Sequence, residues 1–295
     1  MIRGVIGSTH RRGVTVLVDG VEHWVRFPGR LLRDSGPAAG DLVELEETPG
    51  GFAVNGVLPR RNTLERSDQR TGARVIAANI DLAVIFMSIV EPDPRRGFID
   101  RCAASASWRS IPSLIAVNKM DLAGEEGARV LAGLERDYAP AGLPVVGLSC
   151  TEGTGTDRLL QAVRGLTVAV AGPSGAGKTT FVSLMGARLD LGTGPVNEKT
   201  GKGRHTTVAA RLVPAAGGTL LLDTPGLKVF AVDHIPRDML HSCFGEFRRF
   251  EDSCRFRDCM HSAEPGCAVR EAVEAGHVPA SRYESYLGLL EESPG

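Results

Sequence analysis

Between residues 80 and 223 the chain alternates short apolar runs with segments in which apolar positions recur every three or four residues. The runs at residues 80–88, 113–117, 145–149, 167–171, 208–213 and 219–222 read as buried strands, and residues 95–108, 124–138, 158–163 and 179–187 as the helices between them. This alternation predicts a mostly parallel or mixed sheet covered by helices on both faces, with ligands bound beyond the carboxyl ends of the strands. Ahead of it, residues 14–18, 23–27, 42–46 and 52–54 are short strand candidates separated by Gly, Pro and Asp, the pattern of a small barrel or sandwich, an OB-fold among the options. Residues 58–74 lose nearly all apolar character and carry five Arg between Arg60 and Arg74 against Glu65 and Asp68; they read as an exposed basic linker, with or without a partner. Beyond residue 229 the strand pattern stops, and the chain ends in a helical pattern over residues 281–290.

Composition narrows the class. With 295 residues, 42% apolar and 23% charged, the chain is long enough for two domains and a smaller module, and its makeup is that of a soluble globular protein. The net charge of −1 excludes a uniformly basic nucleic-acid binder but hides local contrast, because residues 60–74 carry a net +3 and residues 199–211 a net +4. Residues 1–20 contain no continuous apolar segment of the kind an export signal needs. The longest apolar run, residues 80–90, contains Asp81 and is about half a membrane span. A cytoplasmic protein with reduced thiols and no membrane partner is the expectation, and six cysteines are too few for a disulfide scaffold.

The chemistry sits after the strands. Gly172-Pro173-Ser174-Gly175-Ala176-Gly177-Lys178-Thr179 follows the strand at 167–171 and opens a helix, matching the phosphate loop G-x-x-x-x-G-K-[ST]. Its glycines let backbone N–H groups turn toward a β-phosphate, Lys178 neutralises β and γ oxygens, and the Thr179 hydroxyl ligates Mg²⁺, with Thr180 beside it. The loop alone does not choose a base. Asn118-Lys119-Met120-Asp121, after the strand at 113–117, makes that choice: a carboxylate at Asp121 accepts from guanine N1–H and N2–H₂, a donor pair that adenine lacks. Ser149 and Cys150 stand where the backbone of GTPases approaches guanine O6. Asp223-Thr224-Pro225-Gly226 completes the set, Asp223 toward Mg²⁺ and the Gly226 N–H toward the γ-phosphate. The acid-free stretch with Lys199, Lys202, Arg204, His205, Thr206 and Thr207 reads as a switch, with Thr207 or Thr206 capping γ-phosphate and Mg²⁺.

In ordinary Ras-like proteins the phosphate loop comes first; here the base-reading motifs precede it, so the order is circularly permuted. Near the C-terminus, Cys254-x₄-Cys259-x-His261-x₅-Cys267 offers three thiolates and an imidazole, suited to one closed tetrahedral zinc, with scattered free thiols as the other reading. Cys102 reads as a small core residue and Cys150 as part of the base loop; Cys243 lies eleven positions before the first candidate ligand.

These motifs, with Arg60-Arg61, Val75-Ile76-Ala77-Ala78-Asn79-Ile80-Asp81 and Gly203-Arg204-His205-Thr206-Thr207, resemble those of the RsgA (YjeQ/YloQ) family, and the resemblance spans nearly the whole chain. It implies an N-terminal OB-fold β-barrel that binds RNA (residues 1–65), a circularly permuted α/β P-loop GTPase domain (66–230) and a mostly helical zinc-binding module (231–295). It implies a GTP hydrolase in late maturation of the 30S ribosomal subunit, stimulated by that particle and bound to it according to nucleotide state, with 16S rRNA as partner and the protein as a monomer. Pro173, where many members carry a polar residue, removes one N–H donor from the loop.

Ras-type hydrolysis orients water with a Gln just after D-x-x-G, where this chain has Leu227; intrinsic turnover is expected to be slow. His205 is the candidate for placing the attacking water, with Lys178 and Thr207 as its catalytic companions, and a solvent-facing or RNA-contacting His205 is the other reading. Two other functional classes stay open: a P-loop kinase or ATPase, and an RNA-binding module in which nucleotide is a structural ligand.

Overall fold

The computed structural model describes residues 2–31, 36–68, 72–188, 210–223 and 230–293. The N-terminal strands are β1 (Ile2–His10), β2 (Gly13–Val18), β3 (Val21–Val25), β4 (Leu42–Thr48) and β5 (Gly51–Val57), followed by the hairpin β6 (Thr63–Asp68) and β7 (Gly72–Ala78). The central elements are β8 (Leu82–Ser88), α1 (Arg96–Trp108), β9 (Ser113–Asn118), α2 (Gly124–Tyr138), β10 (Val145–Gly147), α3 (Thr156–Val163), β11 (Thr167–Ala171), α4 (Lys178–Leu184), β12 (Arg211–Pro214) and β13 (Leu220–Asp223). After several 3₁₀ turns, α5 (Ala268–Glu274) and α6 (Ala280–Glu292) end the chain. The chain forms two compact units, Met1–Asp81 with Val163–Ala169 and Phe181–Val229, and Leu82–Ala162 with Val170–Thr180 and Phe230–Gly295.

In the first unit β1 pairs antiparallel with both β2 and β4, β2 with β3, and β4 with β5, and β3 comes against β5. That order closes a five-stranded OB-fold barrel. Ile6, Val14, Val16, Val25, Val43, Leu45 and Val54 point inward from alternate positions and fill it. The barrel's first strand does not stand out in the sequence because Gly4 and Gly7 interrupt its apolar pattern. Gly4 is needed there for close approach, since a Cβ would lie 2.4 Å from Val16 Cγ1. Also in this unit, β11 pairs parallel with β13, β12 antiparallel with β13, and β1 meets β12 at Ser8 and Arg211.

The expected exposed linker at residues 58–74 is corrected by the structure. Thr63–Asp68 and Gly72–Ala78 pair as a hairpin, and Leu64, Ala77 and Ala78 are fully buried. Arg60 donates from Nε to Asp41 Oδ1 at 2.6 Å, and Arg61 from Nη2 to Asp81 Oδ1 at 2.7 Å. Two of the arginines that made the segment look basic and free are therefore bound to carboxylates. Asn62 exchanges hydrogen bonds with the Ile80 backbone, and Asn79 Oδ1 accepts the Arg61 N–H.

In the second unit β8 pairs parallel with β9, and β9 with β10. Every residue of β8 and of β9 is buried, as parallel strands covered on both faces require. Helix α2 carries Glu125 and Glu126 in its first turn and Arg136 in its last, complementing its dipole, and buries Leu134 and Tyr138. Helix α6 packs on α1, and Phe244, Phe247, Tyr286, Leu289 and Leu290 form the core beneath the C-terminal segment. Among the described residues no helix is long and apolar enough to cross a membrane.

Candidate nucleotide and metal sites

The second unit brings the phosphate loop and the base-reading loops together through one side chain. Asn118, the last residue of β9, donates from Nδ2 to the Ala176 carbonyl at 3.0 Å and accepts at Oδ1 from the Cys150 N–H at 2.9 Å. Asn118 is buried, so both of its amide functions are spent on holding Ala176 of the phosphate loop against Cys150 of the base loop. Gly177 makes room for it: φ is +93°, and a Cβ there would lie 1.9 Å from Asn118 Nδ2. Asn118→Ala would leave the Cys150 N–H and the Ala176 carbonyl without this partner, and its affinity for GDP is expected to fall about 10- to 100-fold. Titration of a fluorescent GDP analogue measures the loss.

Lys119 sits in the left-handed region at φ +66° and sends Nζ to the Glu91 carbonyl at 2.7 Å, with the Val90 carbonyl at 3.4 Å. This latch onto the loop after β8 is not legible from the motif. Asp121 is exposed, and its carboxylate is close enough to Cys150 to act on it: burial first, and Asp121 second, push the Cys150 thiol up to about 11. A thiol held protonated fits a base-loop residue better than a nucleophile. The Ser149 hydroxyl accepts the Glu152 N–H at 3.1 Å and its backbone N–H donates to Thr154, closing the base loop on itself.

On the phosphate loop, Lys178 is buried and donates from Nζ to the carbonyls of Gly172 at 2.8 Å and Pro173 at 2.6 Å. Burial lowers its pKa. An ammonium desolvated and, among the described residues, met by neutral carbonyls is poised for an anion. A Cβ at Gly172 would come 2.5 Å from the Phe86 carbonyl, while Ser174, Gly175, Thr179 and Thr180 are exposed. Asp223, at the end of β13 in the first unit, is buried and accepts from Arg211 Nε at 3.0 Å. The switch residues Lys199, Lys202, Arg204, His205, Thr206 and Thr207, and the residues Gly226 and Leu227, lie outside the described residues.

At the C-terminus the four soft ligands meet. The candidate ligand atoms of Cys254, Cys259, His261 and Cys267 lie within 4.8 Å of one another. His261 Nδ1 is 3.6 Å from Cys254 Sγ and 3.5 Å from Cys267 Sγ. A tetrahedral ion with metal–sulfur bonds of about 2.3 Å and metal–nitrogen bonds of about 2.0–2.1 Å separates S and N by about 3.6 Å, so the residues fit such an ion. Burial pushes the Cys259 thiol up to about 12 and raises that of Cys267, so loading a metal would release protons. His261 stands at φ +57°, a strained position for a non-glycine residue, and its carbonyl accepts the Tyr283 hydroxyl at 2.7 Å. The Glu264 carboxylate accepts backbone N–H groups of Met260, Ser262 and Ala263 at 2.8–3.0 Å. Burial alone would raise its pKa; its own backbone N–H together with these donors more than offsets that and holds it below the usual value. Beside the cluster, His241 Nδ1 lies 3.1 Å from Glu251 Oε2 and its ring 5.2 Å from that of His261. No spacing rule singles out His241 and Glu251, so their place beside the cluster is visible only in the fold. Cys102 and Cys243 are buried free thiols outside the cluster.

A phosphate loop and a guanine-reading motif joined by a buried Asn, with the guanine motif earlier in the chain, define the class: this is a circularly permuted P-loop GTPase. The chain belongs to the RsgA GTPase family, whose model matches residues 57–233. It is 40% identical over 246 residues to the small ribosomal subunit biogenesis GTPase RsgA of Gemmatimonas aurantiaca, covering 83% of this chain and 79% of that one. It is 35% identical over 270 residues to the protein of that name from Caldanaerobacter subterraneus, with 90% and 87% covered. Among solved structures, YjeQ from Thermotoga maritima superposes with a TM-score of 0.80 at 29% identity over 99% of this chain and 98% of that one. YloQ, described as a circularly permuted GTPase, gives 0.78 at 25% identity over 99% and 94%.

Proposed function

We propose that this protein is a GTP hydrolase that assists assembly of the small ribosomal subunit, binding the particle in one nucleotide state and leaving it in the other. The observation that carries the nucleotide half is the Asn118 staple, which fixes a phosphate loop and a guanine loop at one place. The partner half rests on the relatives, which are named for small ribosomal subunit biogenesis.

In this reading Asn118, Lys119, Asp121, Ser149 and Cys150 hold guanine. Gly172, Pro173, Ser174, Gly175, Ala176, Gly177, Lys178, Thr179 and Thr180 hold the phosphates, and Thr179 is a ligand of the Mg²⁺ that accompanies them. Thr207, Asp223 and Gly226 keep the switch roles read from sequence, and His205 places the attacking water. Cys254, Cys259, His261 and Cys267 bind one structural zinc, which a closed donor set of three sulfurs and one nitrogen suits. The working division is an RNA-binding OB-fold at 1–65, the GTPase domain at 66–230 and the zinc module at 231–295, in a cytoplasmic monomer whose contact on the particle includes 16S rRNA. Co-sedimentation with purified small subunits tests the reading: more protein is expected on the particle with a non-hydrolysable GTP analogue than with GDP.

A further inference from the structure

Among the described residues, the OB-fold leaves a large aromatic side chain exposed on its outer face. Trp24, on β3, is 60% exposed, although tryptophan ordinarily buries most of its ring. Strand alternation explains the direction: Val25 points into the barrel core, so Trp24 points out, and Arg26 just past the strand is exposed. By register Trp24 sits opposite Thr15 of β2, and its ring packs against the backbone of Gly13, where a Cβ would lie 2.8 Å from Cζ2. The indole is therefore braced along one side by β2. Among the described residues no aromatic ring or cation lies over it.

Its surroundings are cationic. Arg11 and Arg12 form the two-residue turn that joins β1 to Gly13, so they border the spot on which the indole rests, and Arg26 follows directly after β3, two residues on from Trp24. All three are exposed, with Glu22 at the opposite end of the strand's outer face. A braced, uncovered indole among guanidinium groups matches what single-stranded nucleic acid offers: a flat base to stack, and phosphates on either side to neutralise. An aliphatic or acidic protein surface would match the indole or the arginines but not both.

We infer that Trp24 is a stacking platform for an unpaired RNA base, with Arg11, Arg12 and Arg26 holding the flanking phosphates. This rests on the small-subunit reading above and names one contact within it. The alternative is that Trp24 only shields Gly13, as aromatic side chains do for glycine on a neighbouring strand.

The test uses the two-tryptophan content of the chain. In full-length Trp108→Phe protein, Trp24 is the sole indole, and a single-stranded uridine decamer is expected to quench its fluorescence, whereas a duplex of the same length is not. Trp24→Ala is expected to weaken decamer binding about ten-fold with the melting temperature of the protein kept, and Trp24→Phe to retain most of it. Should the alanine variant fail to fold, the phenylalanine and leucine variants carry the comparison. Arg11→Gln with Arg12→Gln is expected to lower the slope of log Kd on log salt by about 1.4, about 0.7 for each phosphate no longer neutralised. Absent quenching, or equal decamer affinity of the Trp24→Ala protein, overturns the inference. Loss of small-subunit binding by Trp24→Ala with decamer affinity intact also overturns it, because the surface then meets protein. Decamer binding through Trp24 by a protein that ignores small subunits instead refutes the small-subunit reading and leaves the platform standing.

Discussion

Arg282→Ala is expected to destabilise the second unit by about 3–5 kcal/mol, lowering the melting temperature by roughly 10 °C or more. Arg282 is 2% exposed, lies on α6, and donates to two buried carboxylates: to Glu246 Oε1 from Nε at 2.6 Å and to Asp100 of α1 from Nη1. Its guanidinium also stacks over the rings of Tyr138 and Phe244, at 5.0 and 4.7 Å from their centroids. Burial by itself would lower the Arg282 pKa; the Asp100 and Glu246 carboxylates outweigh it and hold the pKa above its usual value. Truncation to alanine strands two buried carboxylates without the guanidinium that pairs them. The cost is that of uncompensated charge, so the triple variant Asp100→Leu, Glu246→Met, Arg282→Met is expected to recover most of the stability lost. A thermal melt of the three proteins checks both statements. If the triple variant melts as low as Arg282→Ala, lost packing and not stranded charge is the cause.

Removing the metal is the second large effect. A chelator strong enough to strip zinc, or Cys259→Ser, is expected to release one zinc per chain and to loosen residues 254–267 while the nucleotide loops stay folded. In isolated zinc-finger peptides the metal contributes about 10–16 kcal/mol of apparent folding free energy. A smaller share is expected here, because Phe247, Tyr283 and Tyr286 pack around the cluster and Tyr283 and Tyr286 hydrogen-bond to the carbonyls of His261 and Met260. Metal analysis of the purified protein, with GDP titration before and after chelation, measures the outcome. Zinc content near zero in folded protein, or an unchanged melt after stripping, would count against a structural ion.

What the sequence made legible was what is contiguous. The phosphate loop and the Asn118-Lys119-Met120-Asp121 motif are backbone signatures in which residue types and spacing carry the chemistry, and the fully apolar β8 and β9 announce buried parallel strands. The cluster of three cysteines and one histidine was readable for the same reason, its four residues lying within fourteen positions. Interactions between distant segments were not readable. Arg282 and Asp100 are 182 positions apart, and a charged residue in a helical pattern reads as surface until its partners are seen. Arg60 looked free because Asp41, which neutralises it, lies 19 positions away, just ahead of another strand. The hairpin of β6 and β7 was hidden because one buried leucine, Leu64, and two alanines supply its core. The function of Asn118 illustrates the boundary: the motif names the residue, and only the fold shows that its side chain ties Ala176 to Cys150.

In the proposed function, nucleotide state governs attachment to the small ribosomal subunit. Purified protein sedimented with small subunits, under saturating GDP or a saturating non-hydrolysable GTP analogue, tests it most directly, with large subunits as the control particle. At least ten-fold more protein is expected on small subunits with the analogue than with GDP, and little on large subunits in either state. Equal attachment in the two nucleotide states, or equal attachment to the two particles, would contradict it.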